Sequence, residues 1–220
     1  MRAPATAPPT VAAVRFVRTE ALDFRAILAA PPAAGSVAAL ADLDVVLQVQ
    51  AWRTPEQIEW AKLVERDQVF NHATVLGAWF SAERLPVTAA FFKSLGDDLR
   101  AIDVASKLPF ARPRPNVADP RVQPCVTLPT STSYPSGSAM QALVWAELLA
   151  EMVPAKRTEL IARAHRAGWG RVIGGVHWPS DVAAGRVLAA AYLAEARKNA
   201  VFRAALAAAQ VEVTRAAAAH

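Results

Sequence analysis

Alanine most constrains this fold. It is abundant throughout the 220 residues, whereas glycine occurs nine times and isoleucine is sparse. Alanine gives up no side-chain entropy in a helix, so a chain this rich in it favours helix over sheet even with valine well represented. Helix punctuation agrees. Thr54-Pro55-Glu56-Gln57 has a capping Thr, a Pro suited to the first helical position, and a Gln three residues after the cap. A helix is expected from about Ser36, with Val37, Leu40, Leu43, Val46 and Leu47 near helical spacing. Further helices are expected near 67–80, 86–106, 138–153, 155–169 and 180–210, with Pro154 separating two of them. Residues 107–135 break the pattern with seven prolines. A loop that long in a compact domain is often functional. The expected architecture is all-α, a single-domain helical bundle over 22–220, preceded by a flexible N-terminal arm over 1–21. With 54% of residues apolar, the chain can bury a real core.

The net charge of +5 is spread over basic residues interleaved with acids. No long Lys/Arg run is present, so a nucleic-acid partner is not expected. The charge still favours anionic substrates through the protein's field. Cys125 is the one cysteine, and no Cys/His cluster with metal spacing accompanies it, so no metal and no cofactor is expected. The most apolar helix, Ala139 to Val153, is short and carries Glu147 and Glu151, so no membrane span is expected. Residues 1–10 lack the long apolar core of a secretory signal, leaving a cytoplasmic protein or a removed leader as the alternatives. Oligomeric state stays open, a homo-oligomer included.

Three segments converge on one chemistry. In the first, Lys107 ends a helix and Arg114 stands in a proline-framed turn, a point charge and a planar fork that together suit a phosphate. In the second, Pro135-Ser136-Gly137-Ser138 precedes an apolar helix. Ser136 can cap it and Gly137 lets an anion approach the backbone N–H groups. In the third, Arg171 is followed by His177 and Asp181. Pro179 fits the first position of a new helix, so Asp181 falls in its first turn and can reach back to the His177 ring. That would fix the tautomer and leave the other ring nitrogen free to attack.

Together these segments resemble the signature of the type 2 phosphatidic acid phosphatase superfamily, which includes the vanadium haloperoxidases: K-x6-R-P, then P-S-G-H, then S-R-x5-H-x3-D. Lys107 with Arg114-Pro115, Pro135-Ser136-Gly137, and Arg171 with His177 and Asp181 match in order and spacing. Arg112-Pro113 is a second R-P pair without the family spacing from Lys107. Ala30 to Gln50, Asp119 to Val126 and Gly174 to Asp181 are similar to the soluble class A bacterial acid phosphatases, a resemblance covering about residues 22–205.

The resemblance implies a helical bundle that hydrolyses or transfers phosphomonoesters, in the periplasm or secreted, with a small-molecule phosphoester as substrate. Lys107, Arg114 and Arg171 would neutralise the phosphate oxygens, helped by Ser136 and the Gly137 amide. His177 would become a phosphohistidine, with Asp181 holding its ring, and no metal would be needed. Two positions depart from the pattern. Gly170 stands where the family has Ser, and Ser138 where it has the His that protonates the leaving alcohol. Losing a general acid costs about 10²–10⁴ in rate. Four readings follow: a weakened phosphatase or phosphotransferase; replacement of the acid by another group, with His72 expected to be structural and His165 solvent-facing; an acyltransferase or esterase built on Ser138, His177 and Asp181; or a non-catalytic phosphate-binding homologue or inactivated variant.

Overall fold

The computed structural model describes residues 16–219. Among these, ten α-helices and no strand occur: α1 (Phe24–Ile27), α2 (Val37–Trp52), α3 (Pro55–Glu65), α4 (Ala73–Leu76), α5 (Pro86–Lys107), α6 (Pro115–Ala118), α7 (Gly137–Met152), α8 (Arg157–Ile173), α9 (Pro179–Ala196) and α10 (Ala200–Ala218). Local sequence sets most starts. Ser36 caps α2 by accepting the Ala39 N–H at 3.2 Å, and Thr54 with Gln57 forms the expected capping box on α3. Proline opens α5 and α9.

Helix α7 is the centre of the bundle. It packs against α8 and α9 and crosses α5; α3 lies on α8, and α10 on α5. Leu95, Leu99 and Ile102 of α5, Leu148 and Leu149 of α7, and Leu188 and Tyr192 of α9 are buried together in the main core. A smaller cluster, formed by Val46, Val122, Ala139, Val172, Trp178 and Val182, sits where α2, α7, α8 and α9 meet. The two clusters flank the elements that carry the phosphate motifs.

Four expectations need correction. The helix over 67–80 is a short 3-10 turn (Val69–His72) followed by the single turn of α4. Asp67 accepts both terminal N–H groups of Arg163 at 2.8 and 2.9 Å and the Asn71 amide at 2.9 Å, and Gly77 takes φ +104°. Local side-chain bonding and a left-handed glycine stop the helix there. The helix over 180–210 is two, because Asn199 caps α10 by accepting the Val201 N–H at 2.8 Å. Of the stripe on α2, Val46 is buried while Val37 and Leu40 are exposed; the helix turns Asp42 inward instead. Finally, residues 1–15 of the arm lie outside the described residues, but Phe16 and Val17 are core residues. Their N–H groups bond to the buried Asp98 carboxylate at 2.7 and 3.1 Å.

Candidate active site

Two residues at the start of α9 form the centre of the site. The Asp181 carboxylate turns back over the helix end and accepts the Trp178 N–H at 2.9 Å. The same oxygen lies 3.1 Å from His177 Nδ1. The network therefore assigns the ring proton to Nδ1, donated to Asp181, and leaves a lone pair on Nε2. Arg114 Nη1 donates toward that nitrogen at 3.3 Å. Burial pushes His177 down to about 4; Asp181 opposes this, while the charges of Arg114 and Lys107 add to it. Burial alone would raise Asp181, but its bonds with His177, Arg112 and the Trp178 N–H outweigh that and hold it below the usual carboxylate range. The imidazole is neutral above about pH 4, with its lone pair among cations.

Those cations come from three elements. Lys107, in the last turn of α5, donates from Nζ to the Pro135 carbonyl at 2.5 Å and lies 2.6 Å from Asp103 Oδ1. Arg114 precedes α6, held by the carbonyls of Ser131 (2.7 Å), Val176 (2.6 Å) and Thr132 (3.2 Å). Burial, with the nearby Arg171 charge, pushes Arg114 down to about 10. Arg171 occupies the last turn of α8. Gly175, at φ +73°, ends that helix, and the N–H groups of Gly175 and Val176 return to Val172 and Arg171. Arg171 is buried, and its Nε and Nη1 have no hydrogen-bond partner. Arg114 and Lys107 act on the His177 ring and Arg171 on Arg114, so three buried cations, one with unsatisfied donors, favour an anion among them.

Ser136 caps α7 through a 3.3 Å bond from the Ala139 N–H, and its own N–H reaches the Asp181 carbonyl at 3.0 Å. That second bond ties the P-S-G segment to the His177–Asp181 turn. A Cβ at Gly137 would meet the Asp103 carboxylate, which would have to swing aside. Ser138 follows on α7 and lines a neighbouring cavity. It is not among the hydrogen-bond partners of His177, which are Asp181 and Arg114. Gly170 has a packing reason: a Cβ there would stand 2.7 Å from Val64 Cγ2, where α3 closes on α8. His72 is buried, as expected, and His165 is exposed. Among the described residues no group of three or more His, Cys, Asp or Glu side chains is arranged to hold a metal.

Arg112 and Asp42 were missed in the sequence. Arg112 Nη1 donates to Asp181 Oδ1 and to Ser180 Oγ, each at 2.7 Å; Nη2 donates to Asp42 Oδ2 at 2.8 Å. Its guanidinium lies 5.0 Å from the Trp178 ring. The Ser180 hydroxyl and N–H also bond to Asp42. Nothing local singled out Asp42, since α2 also carries the exposed Asp44 two residues on. For Arg112 the signal was the R-P-R-P doublet itself.

This arrangement has relatives. The sequence profile of the PAP2 superfamily matches residues 98–203, which contain every residue of the three motifs. A non-specific acid phosphatase from Providencia stuartii is 30% identical over 199 residues, covering 84% of this chain and 78% of that protein. The chain belongs to the PAP2 superfamily. A second acid phosphatase, from Salmonella typhimurium, is 40% identical over 81 residues, 37% of this chain and 32% of that protein. Within the PAP2 superfamily, the crystal structure of a transmembrane phosphatidylglycerolphosphate phosphatase from Bacillus subtilis aligns with a TM-score of 0.48 at 24% identity, over 74% of this chain and 87% of that one. Among the described residues here, no helix is long and apolar enough to cross a membrane.

Proposed function

We propose that this PAP2 chain hydrolyses phosphomonoesters, or transfers their phosphoryl group, through a phosphohistidine at His177. One observation carries the reading: a buried, neutral imidazole held by Asp181 presents its Nε2 lone pair toward a cluster of cations. A substrate phosphate entering the site meets Lys107, Arg114 and Arg171 and the N–H of Gly137, with Ser136 beside them. Arg114 then shifts its N–H from Nε2 to a phosphate oxygen, which frees the lone pair. Nε2 attacks phosphorus, and the imidazolium charge that develops is stabilised by Asp181 across the 3.1 Å contact. The fixed cations spread over the equatorial oxygens, so catalysis is positioning plus charge stabilisation. Water or a second alcohol takes the phosphoryl group from His177. The acid phosphatase relatives support this chemistry and, by resemblance, a periplasmic or secreted setting.

Because position 138 is Ser, that position supplies no proton to the leaving alcohol. The test uses purified protein with para-nitrophenyl phosphate, and alkaline quenching to preserve an acid-labile phosphohistidine. Wild type should turn over and trap label from radiolabelled substrate. His177→Ala should do neither. Full turnover by His177→Ala sinks the phosphohistidine mechanism. Wild type that binds phosphate at the site but hydrolyses no ester of any leaving ability is a binder instead.

A further inference from the structure

The reaction above still lacks a proton donor for the leaving oxygen. Neither spare histidine supplies one. His72 lies 2.8 Å from the Val69 carbonyl and 3.4 Å from Arg163, enclosed in the core, and His165 is exposed on the face of α8. What borders Ser138 is a cavity of about 270 Å³, lined by Glu65, Leu99, Asp103, Ser138, Gln141 and Trp145 among others. His177, Arg114 and Arg171 take no part in its wall. In-line displacement at phosphorus places the leaving oxygen opposite the nucleophile. A cavity that adjoins the phosphate cradle at Gly137, away from His177, is where that oxygen and its substituent would project.

Asp103 connects the cavity to the cradle. Its Oδ1 lies 2.6 Å from Lys107 Nζ, and the carboxylate packs directly against the Gly137 backbone, where a Cβ would displace it. Both of those neighbours are phosphate-contacting groups in the reading above. The side chain is 32% exposed, so it can exchange protons with solvent. The other acids of the wall are committed elsewhere: Asp67 to Arg163, and Glu65 to the Thr127 N–H at 3.1 Å. Trp145 lines the same cavity, and its buried indole N–H has no partner.

The geometry points to this cavity as the site of the alcohol portion of the substrate, and to Asp103 as the acid that protonates the alcohol oxygen as it leaves. The assignment rests on the His177 phosphoryl-transfer reading. A phosphate dianion arriving at Lys107 draws the ammonium away from Asp103 and sets a second negative charge beside it. The charged groups around Asp103 are Lys107 and Arg100 from its own helix, Arg114 just before α6, and Glu65 and Asp67 on the cavity wall; α7 offers it only the uncharged Gly137, Ser138 and Gln141. As the Nε2–P bond forms and the P–O bond breaks, the electron pair goes to the alcohol oxygen, and the Asp103 proton follows it there. The alcohol departs. Water then attacks the phosphohistidine, gives its proton to the Asp103 carboxylate, and releases phosphate and neutral His177. The cavity's size and its Gln141, Ser138 and Glu65 side chains suit a small hydroxylated alcohol, a polyol phosphate being the class.

Leaving-group dependence tests this. kcat and KM are measured for glycerol phosphate and para-nitrophenyl phosphate in wild type, Asp103→Asn, Asp103→Glu and the double variant Asp103→Asn with Ser138→His. In Asp103→Asn, kcat on glycerol phosphate should fall about 10²–10⁴-fold, while the aryl ester, whose phenolate leaves unaided, should change only a few-fold. Asp103→Glu should recover part of the loss, and the double variant should recover alkyl turnover through the imidazole. Inorganic phosphate should still inhibit Asp103→Asn, because Lys107 has lost a competitor. Equal losses on the two esters, or no loss on the alkyl one, overturn the assignment. If Asp103→Asn does not fold, the wild-type kcat profiles decide. An alkaline limb seen with the alkyl ester and absent with the aryl ester upholds Asp103, and identical profiles reject it. Aryl turnover that dies in His177→Ala upholds the phosphohistidine reading whatever Asp103 does, so the two ideas fail separately.

Discussion

Arg112 shows how a site can depend on a residue that no spacing rule selects. Arg114 is legible because seven positions separate it from Lys107. Arg112 sits in an identical Arg-Pro pair, and its role is decided by Asp42, 70 residues away. The result is a buried chain from His177 through Asp181 and Arg112 to Asp42, braced by Trp178. Arg112→Met removes the cation shared by two buried carboxylates, leaving them only neutral hydrogen bonds, and should destabilise the fold by about 3 kcal/mol in urea unfolding. Arg112→Lys keeps the charge but cannot fork between two carboxylates. It should fold and hold KM near wild type while kcat falls about 10–100-fold, the usual worth of a residue that orients a catalytic ligand. An unchanged kcat in Arg112→Lys would reduce Arg112 to a structural brace.

At the scale of elements, helix starts were legible and helix interruptions were not. Thr54, Pro86, Ser136 and Pro179 announce themselves because a cap is a local device. The breaks at 67–80 and 197–199 carry local signals, Gly77 and the Asn199 cap, but each is also held by a distant partner, Arg163 for Asp67 and Phe16 for Asn199, and in an alanine-rich stretch a lone Gly or Asn does not by itself announce a break. The same holds for helix crossings. Gly185 of α9 faces the Ser136 carbonyl, and Ala139 and Met140 of α7 close over it. A Cβ at 185 has no room against that backbone, so Gly185→Ala must push α9 from the N-terminus of α7. Overpacking of this kind costs about 1–3 kcal/mol. Because Ser136 also bonds to the Asp181 carbonyl, the displacement reaches the phosphate cradle. Gly185→Ala should therefore lower the melting temperature and weaken inhibition by inorganic phosphate together. A lower melting temperature with unchanged phosphate inhibition would show that the crossing and the cradle are mechanically separate.

For the whole molecule, the site and the fold share one dependence on acid. His177 and His72 are each pushed down by burial from the ordinary 6.5 to about 4, with Arg114 and Arg163 respectively adding to the shift. In the unfolded chain both take up protons near 6.5; in the folded one they resist until about 4. Their stability is thus complete above 6.5 and is lost progressively as pH falls through about 4. At about 1.36 kcal/mol per unit, each accounts for at most roughly 3 kcal/mol. Urea unfolding at neutral pH and near pH 4 should show the loss, and His72→Gln should remove about half of it. An equal loss in His72→Gln would place the acid sensitivity elsewhere. Catalysis should tolerate the same range, since His177 keeps its lone pair down to about pH 4. The bundle was legible because alanine content and capping speak locally; its closure was not. Phe16 stacks edge-on against Phe202 at 5.4 Å, lies 5.8 Å from Phe91, and its carbonyl takes the Asn199 amide at 2.9 Å. The slot for one of the first described residues is thus completed by one of the last helices. During synthesis, a ribosome that has delivered everything through α9 still holds a chain in which Phe16 can meet Phe91 and Asp98 of α5 but lacks the Phe202 ring that completes its slot. The final packing of this protein must wait until α10 has cleared the exit tunnel.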